Sequence, residues 1–178
     1  MLLLISIGII YQTQKLNSMK SIHFLLVLLA IILSSCNAKE EISDSEKRLI
    51  IEELQSRLND YSDAFKRKDI VGVLNFWSNT PDFAFAGDGK LITDYDSIFV
   101  PRMQNRLPKV QEVPYFDFVV ERGAILSKDA VSVTSTFDWA QIETTGDTVR
   151  ARGTWLFVFM KKNGQWSVVQ SAGTHILY

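Results

Sequence analysis

The chain has 178 residues, of which 47% are hydrophobic and 22% charged, and its formal net charge is −1. This composition matches a folded chain with a real core and excludes a disordered one. The absence of a basic surplus leaves no nucleic acid among the expected partners, and the lone cysteine, Cys36, excludes an internal disulfide and thiol chemistry within the folded part.

From Met19 the chain reads as one lysine, Lys20, an apolar run from Phe24 to Leu33, then Ser34-Ser35-Cys36. That is the build of a secretory signal peptide. The run of about ten apolar residues is too short for the ~20 that a membrane-crossing helix needs. Leu33-Ser34-Ser35-Cys36 resembles the lipobox of bacterial lipoproteins, which implies cleavage before Cys36 and lipid attachment to it. Residues 1–35 are therefore expected to be a signal peptide whose true start is Met19, because the earlier apolar run Leu2 to Ile10 serves no evident purpose. Residues 36–43 are expected to be a lipidated tether. Its Lys39-Glu40-Glu41 resembles short surface-export tags and equally suits a solvated spacer. The implied place is the bacterial cell envelope, lipid-anchored to a membrane facing the periplasm or the cell surface. About 143 residues then remain, the size of one domain.

Leu49, Ile50, Leu54, Leu58, Tyr61 and Phe65 recur at three- and four-residue steps, which predicts an amphipathic helix over 43–68 with Ser43 or Asp44 as its cap. Asp69 opens a short second helix with Ile70, Val73, Leu74 and Trp77 on one side, ended by Thr80-Pro81. Gly87-Asp88-Gly89-Lys90 reads as the turn of a small hairpin. Thr93 or Asp94 caps a third helix to about Leu107, started or bent at Pro101.

Four strands follow, over about 112–123, 129–142, 148–161 and 165–177. Gly146-Asp147 and Asn163-Gly164 supply the last two turns. Helices first and a meander after predicts an α+β domain with the helices on one sheet face. The strand through Thr154 to Met160 is apolar on both faces, Leu156, Val158 and Met160 against Trp155, Phe157 and Phe159. Helices cover one face and a second subunit is the simplest cover for the other, so a homodimer is expected.

This order of elements resembles the nuclear transport factor 2-like superfamily, which includes ketosteroid isomerase and the SnoaL-like proteins, over roughly residues 45–177. Tyr61, Ala64 and Asp69, Asp82-Phe83, Arg152-Gly153-Thr154 and Lys162-Asn163-Gly164-Gln165-Trp166 carry the local likeness. The resemblance implies residues 44–178 as a cone-shaped roll, three helices on a strongly curved antiparallel sheet, enclosing a pocket for a small, often apolar molecule.

His175 is the only histidine after Cys36 and can move a proton near neutral pH, and its place resembles the terminal histidine of many SnoaL-like sequences. Asp117 and Asp138 interrupt aromatic runs, where a carboxylate can have a raised pKa suited to acid or base work. By the same alternation either aspartate can simply face solvent. Tyr61 comes from the helix that carries a tyrosine in ketosteroid isomerase-like sites. Arg152 can anchor an acidic group or pair with a carboxylate, and Trp77 lines a pocket or fills the core. The candidate site is therefore His175 and Asp138 as catalytic groups with Tyr61, Trp77, Asp117 and Arg152 as lining. No metal and no cofactor is expected: one histidine and no cysteine make no zinc or haem set, and Gly87-Asp88-Gly89 does not precede a helix as a phosphate loop does. The leading expectation is a binding module for a small apolar ligand. The alternatives are an isomerase or dehydratase using Asp138 or His175, and an interaction module in which Trp155 and Phe157 face a partner protein.

Overall fold

The computed structural model describes residues 42–178. The first helix, α1, spans Asp44–Lys66 and starts on a capping box. The Ser43 backbone N–H donates to a Glu46 carboxylate oxygen at 2.8 Å, while the Ser43 hydroxyl accepts from the Glu46 N–H at 3.3 Å. Leu54 and Leu58, one turn apart, are completely buried. Asp69 accepts from the Gly72 N–H at 3.0 Å and caps α2, Ile70–Asn75. A π-helical turn over Tyr95–Phe99, capped by Asp94, leads into α3, Val100–Arg106, with Pro101 in its first turn where its missing N–H costs nothing.

Six strands form one sheet: β1 Ala84–Gly87, β2 Lys90–Ile92, β3 Val110–Ser127, β4 Ala130–Glu143, β5 Thr148–Lys162 and β6 Gln165–Leu177, in the order β2-β1-β6-β5-β4-β3. The class is α+β as expected, but the sheet is mixed, because β1 runs parallel to β6 with Phe85 beside Ser171 and Gly87 beside Gly173. The chain after α2 is tied to the same strand, the Ser78 N–H donating to the Val168 carbonyl at 2.8 Å and the Val168 N–H to the Phe76 carbonyl at 2.9 Å. Asn163 and Gly164 both have positive φ, 53° and 80°, as the tight β5–β6 turn requires.

Bulges in β3 break its pairing with β4 at four places and bend the strand. Near one of them Gln55 of α1 donates to the Phe118 carbonyl and accepts from the Val120 N–H, both at 2.9 Å, docking the helix on the strand. A further bulge shifts the register between β5 and β6: Phe159 pairs with Val168 but Val158 with Gln170, leaving Val169 as the extra residue. Side chains alternate along a strand, so this residue reverses the phase. Before it Trp166 and Val168 face the helices, and after it Ser171, Gly173 and His175 do.

The inner face carries the core. Trp155, Phe157 and Phe159 are 6%, 2% and 0% exposed, whereas Leu156 and Met160 are 39% and 43% exposed on the outer face. The aromatics of β5 are thus the helix-covered side. An interaction role for Trp155 and Phe157 on a partner-facing surface is corrected by this placement, since alternation gives the open face to Leu156, Val158 and Met160 instead.

Candidate functional site

Between the helices and the inner face lies a cavity of about 770 Å³. Its floor follows from the register. Phe118, Phe137, Gly153 and His175 form one row across β3 to β6, Phe116, Trp139, Ala151 and Leu177 the next, and Val120, Ser135, Trp155 and Gly173 a third. In the first two rows paired rings on β3 and β4 adjoin Gly153 and Ala151 on β5, and in the third Trp155 lies between Ser135 and Gly173. A Cβ at Gly173 would run into the Trp155 indole, and one at Gly153 into the Thr174 carbonyl and the Phe137 ring. The glycines let the rings lie flat and leave space above them. From α1 Tyr61 closes one side, stacked on Phe76 at 4.4 Å and edge-on to Phe116 and Trp77 at 5.9 and 6.2 Å. Burial among these rings pushes its phenol well above the usual tyrosine range.

Among the polar residues of the lining one acid–base pair is hydrogen-bonded together, His175 with Asp88, both partly exposed. His175 presents its ring to Phe137 and Trp155, each 5.1 Å away, and its Nδ1 lies 2.7 Å from Oδ2 of Asp88. The other Asp88 oxygen accepts from the His175 backbone N–H at 2.9 Å. Asp88 sits at φ 50° in the β1–β2 turn, followed by Gly89 at φ 78°, and the parallel pairing of β1 with β6 carries that turn to His175. Partial burial works to raise the Asp88 carboxyl. The two hydrogen bonds and charge of His175, with the Arg102 guanidinium, outweigh it and hold the group below its ordinary value of 3.8. An ionised Asp88 only accepts, so Nδ1 of a neutral His175 carries the proton and Nε2 is left to take one.

The remaining wall comes from α3 and the turn after it, which contribute Arg102, Met103, Asn105, Arg106 and Lys109. Arg106 is paired with Glu143 at 2.9 Å, and Gln141 donates to the same carboxylate oxygen at 2.7 Å. The Arg102 guanidinium lies over the Phe85 ring at 5.8 Å. Three of the four tryptophans, Trp77, Trp139 and Trp155, line the cavity with indole N–H groups that have no hydrogen-bond partner among the described residues. The fourth, Trp166, donates to Glu53 at 2.8 Å.

No family model matches the sequence, and no curated protein matches it. Solved structures do match the described domain. An NTF2-like protein of unknown function from Shewanella oneidensis, 16% identical, superposes over 70% of this chain and 98% of its own with a TM-score of 0.57. A ketosteroid isomerase-like protein from Erwinia carotovora atroseptica, 21% identical, covers 68% of this chain and 92% of its own at 0.55. A scytalone dehydratase-like protein from Novosphingobium aromaticivorans, 11% identical, covers 73% and 86% at 0.65.

The domain has the nuclear transport factor 2-like fold.

Within this fold the structure brings Tyr61, Trp77 and His175 together around the cavity and leaves three other candidates outside it. Asp117, Asp138 and Arg152 stand in one row with Ile176 on the outer sheet face, because each is one residue out of phase with the inward rings. Asp138 accepts from the Tyr178 hydroxyl at 2.8 Å, Arg152 covers the Tyr178 ring at 5.6 Å, and Asp117 lies 3.5 Å from Lys66 with its side chain 68% exposed. The pocket-lining places given to Asp117 and Arg152, and the cavity place needed by Asp138, are corrected accordingly. Asp88, Arg102 and Lys109 line the cavity instead. The turn containing Asp88 is legible as a hairpin, but nothing local says that it docks on residue 175. Among the described residues no group of three or more His, Cys, Asp or Glu is arranged to hold a metal, and Cys36 lies outside them.

Proposed function

We propose that this nuclear transport factor 2-like domain holds a small, largely apolar molecule in its cavity, and that lipid on Cys36 fixes it to a bacterial membrane on the extracytoplasmic side. The observation that carries the binding reading is the cavity itself: about 770 Å³ walled largely by aromatic rings, with a smaller set of polar groups in the lining. Ligand sites typically enclose ~300–1,000 Å³ and have that division between apolar walls and sparse polar groups. The Leu33-Ser34-Ser35-Cys36 run supports the anchor. In this reading a second copy covers the exposed Leu156 and Met160 and the half-buried Val158 of the outer face, making a homodimer.

Proton transfer is the second reading, favoured by one specific observation. Asp88 and His175 are a hydrogen-bonded, partly exposed acid–base pair among the lining residues, with Nε2 of His175 as the base. The work would be of isomerase or dehydratase type, as the names of two of the similar structures describe. The groups that carry it here are Asp88 and His175, not Asp138.

Native mass spectrometry of the protein purified from its host tests the first reading. An apolar compound retained by the wild type and lost when Trp155 or Phe137 is cut to alanine, in a protein that remains folded, supports it. A folded protein that retains nothing and binds none of a panel of apolar compounds rules it out. The anchor is tested by intact mass and membrane fractionation, where Cys36→Ala must remove both the acyl mass and the membrane association.

A further inference from the structure

We infer that the ligand is an amphipathic anion, an apolar and partly aromatic body ending in a carboxylate, seated with its anionic end against Arg102 and Lys109. The inference rests on the binding reading and deepens it. Three side chains in the lining carry a fixed positive charge, Arg102, Arg106 and Lys109, against one carboxylate, Asp88. Arg106 is neutralised by Glu143. Asp88 is engaged by His175 through both oxygens. Arg102 and Lys109 remain without a hydrogen-bonded or ion-paired acidic partner among the described residues, Arg102 acting on Asp88 only through space.

Arg102 is held rather than loose. Its guanidinium lies 5.8 Å over the Phe85 ring, itself part of the cavity wall, and a cation seated on an aromatic face keeps its edge donors available for a planar anion. The charge balance of the lining points the same way: with Arg106 matched by Glu143, Arg102 and Lys109 face the single carboxylate of Asp88, which leaves one positive charge over. That surplus asks for an anion, and the rings of Phe116, Phe118, Phe137 and Trp139 ask for an apolar, flat body. An apolar amine would meet a net positive charge, and an alcohol would leave it unused.

The test uses the full chain in lipid nanodiscs, which keep detergent out of the cavity, with empty discs as the blank. Three probes share one body: naphthalene-2-carboxylate, naphthalene-2-methanol and naphthalene-2-methylamine. Binding is read by calorimetry and by tryptophan fluorescence. The carboxylate is expected to bind at least fivefold tighter than the alcohol at low salt, with the amine weakest. Arg102→Gln with Lys109→Gln should remove that preference while leaving the alcohol's affinity unchanged, which also shows that the variant is folded. Raising salt should narrow the gap, since both cations are exposed at the mouth.

Equal binding of carboxylate and alcohol, or tighter binding of the amine, overturns the anion assignment while the apolar-pocket reading stands. Loss of carboxylate and alcohol binding alike in the double variant, with its circular dichroism unchanged, also overturns it, because the cations would then be shaping the pocket and not reading charge. Failure of all three probes to bind wild type sinks the assignment together with the binding reading.

Discussion

Oδ2 of Asp88 lies 2.7 Å from Nδ1 of His175, although 87 residues separate them in the chain. A carboxylate in that position selects the imidazole tautomer. Long-range proton–nitrogen NMR near pH 8 is expected to find Nδ1 of His175 protonated and Nε2 bare in the wild type. Asp88→Asn should yield a mixture, because the amide can donate or accept. A wild-type ring protonated on Nε2 would contradict the arrangement.

If the domain turns over a substrate, His175→Ala should lower kcat by roughly 10²–10⁴-fold, the usual worth of a positioned acid or base, with ligand affinity kept within a few-fold. Asp138→Asn should leave kcat unchanged, since Asp138 stands on the outer face. A loss of affinity with no loss of rate would place His175 among the binding groups.

Four carboxylates, Asp44, Glu46, Glu53 and Asp88, are held below their ordinary values, and the two that are partly buried, Glu53 and Asp88, weigh most in how the fold responds to acid. In Glu53 the shift comes first from the Trp166 indole at 2.8 Å and then from Lys161 at 3.2 Å, against a smaller desolvation. In Asp88 partial burial is outweighed by His175 and Arg102. For a lowered carboxylate the stabilisation is fully present above the unfolded-state value of about 4 and is lost as pH falls through the lower folded value. Chemical denaturation midpoints should therefore fall as pH drops from 5 toward 3. Glu53→Gln should reduce both the stability at pH 7, by about 0.5–1 kcal/mol given its half-exposed side chain, and the slope below pH 4. A slope unchanged in Glu53→Gln would refute the contribution assigned to this contact.

Gly173 lies under the Trp155 indole, and a methyl group there meets the ring. Gly173→Ala is expected to cost about 1–3 kcal/mol by overpacking and to shift tryptophan emission as the ring moves. At Gly146, φ 91° with open space around the Cβ position, alanine should cost only the backbone strain, of order 1 kcal/mol, and leave emission alone. Equal costs with unchanged spectra at both sites would mean the cavity floor is not built as described.

The two faces of β5 separate assembly from folding. Leu156→Glu should convert a dimer to monomer in light scattering with its thermal unfolding otherwise cooperative. Trp155→Glu should instead unfold the domain, because that side chain is 6% exposed in the core. A wild type that is monomeric at micromolar concentration removes the homodimer from the proposal.

Much of the fold was legible because its signals are local. Ser43 and Glu46 announce the first helix, Asn163-Gly164 the last hairpin, and the long strands between turn residues fall within about two residues of their expected ends at most, except that β3 runs on to Ser127. The site was legible only in part. Phe137 and Trp139 flank Asp138, and strict alternation already says that if the rings are inside the carboxylate is outside. Its chemistry drew attention that its phase did not support. Asp88 and Arg102 could not be reached this way, since both depend on a parallel β1–β6 pairing that has no local signature. In β5 the periodicity separated the two faces correctly, yet both were apolar, so only the packing of α1 and α2 reveals which one is the interior.

Val169, the extra residue of the β6 bulge, lets the last strand hold one more residue than its ladder without losing its place. Phe159 pairs with Val168 before it and Val158 with Gln170 after it, so deleting that codon would close an ordinary ladder and keep His175 opposite Gly153 on the inner face. Past the bulge the same freedom is absent. Losing Ala172, with the pairing kept up to Ser171, would turn the His175 ring to the outer face and bring Thr174 and Ile176 inward, parting His175 from Asp88. The strand thus tolerates a length change at one position and, three residues on, exchanges its acid–base pair for other side chains by the same small event.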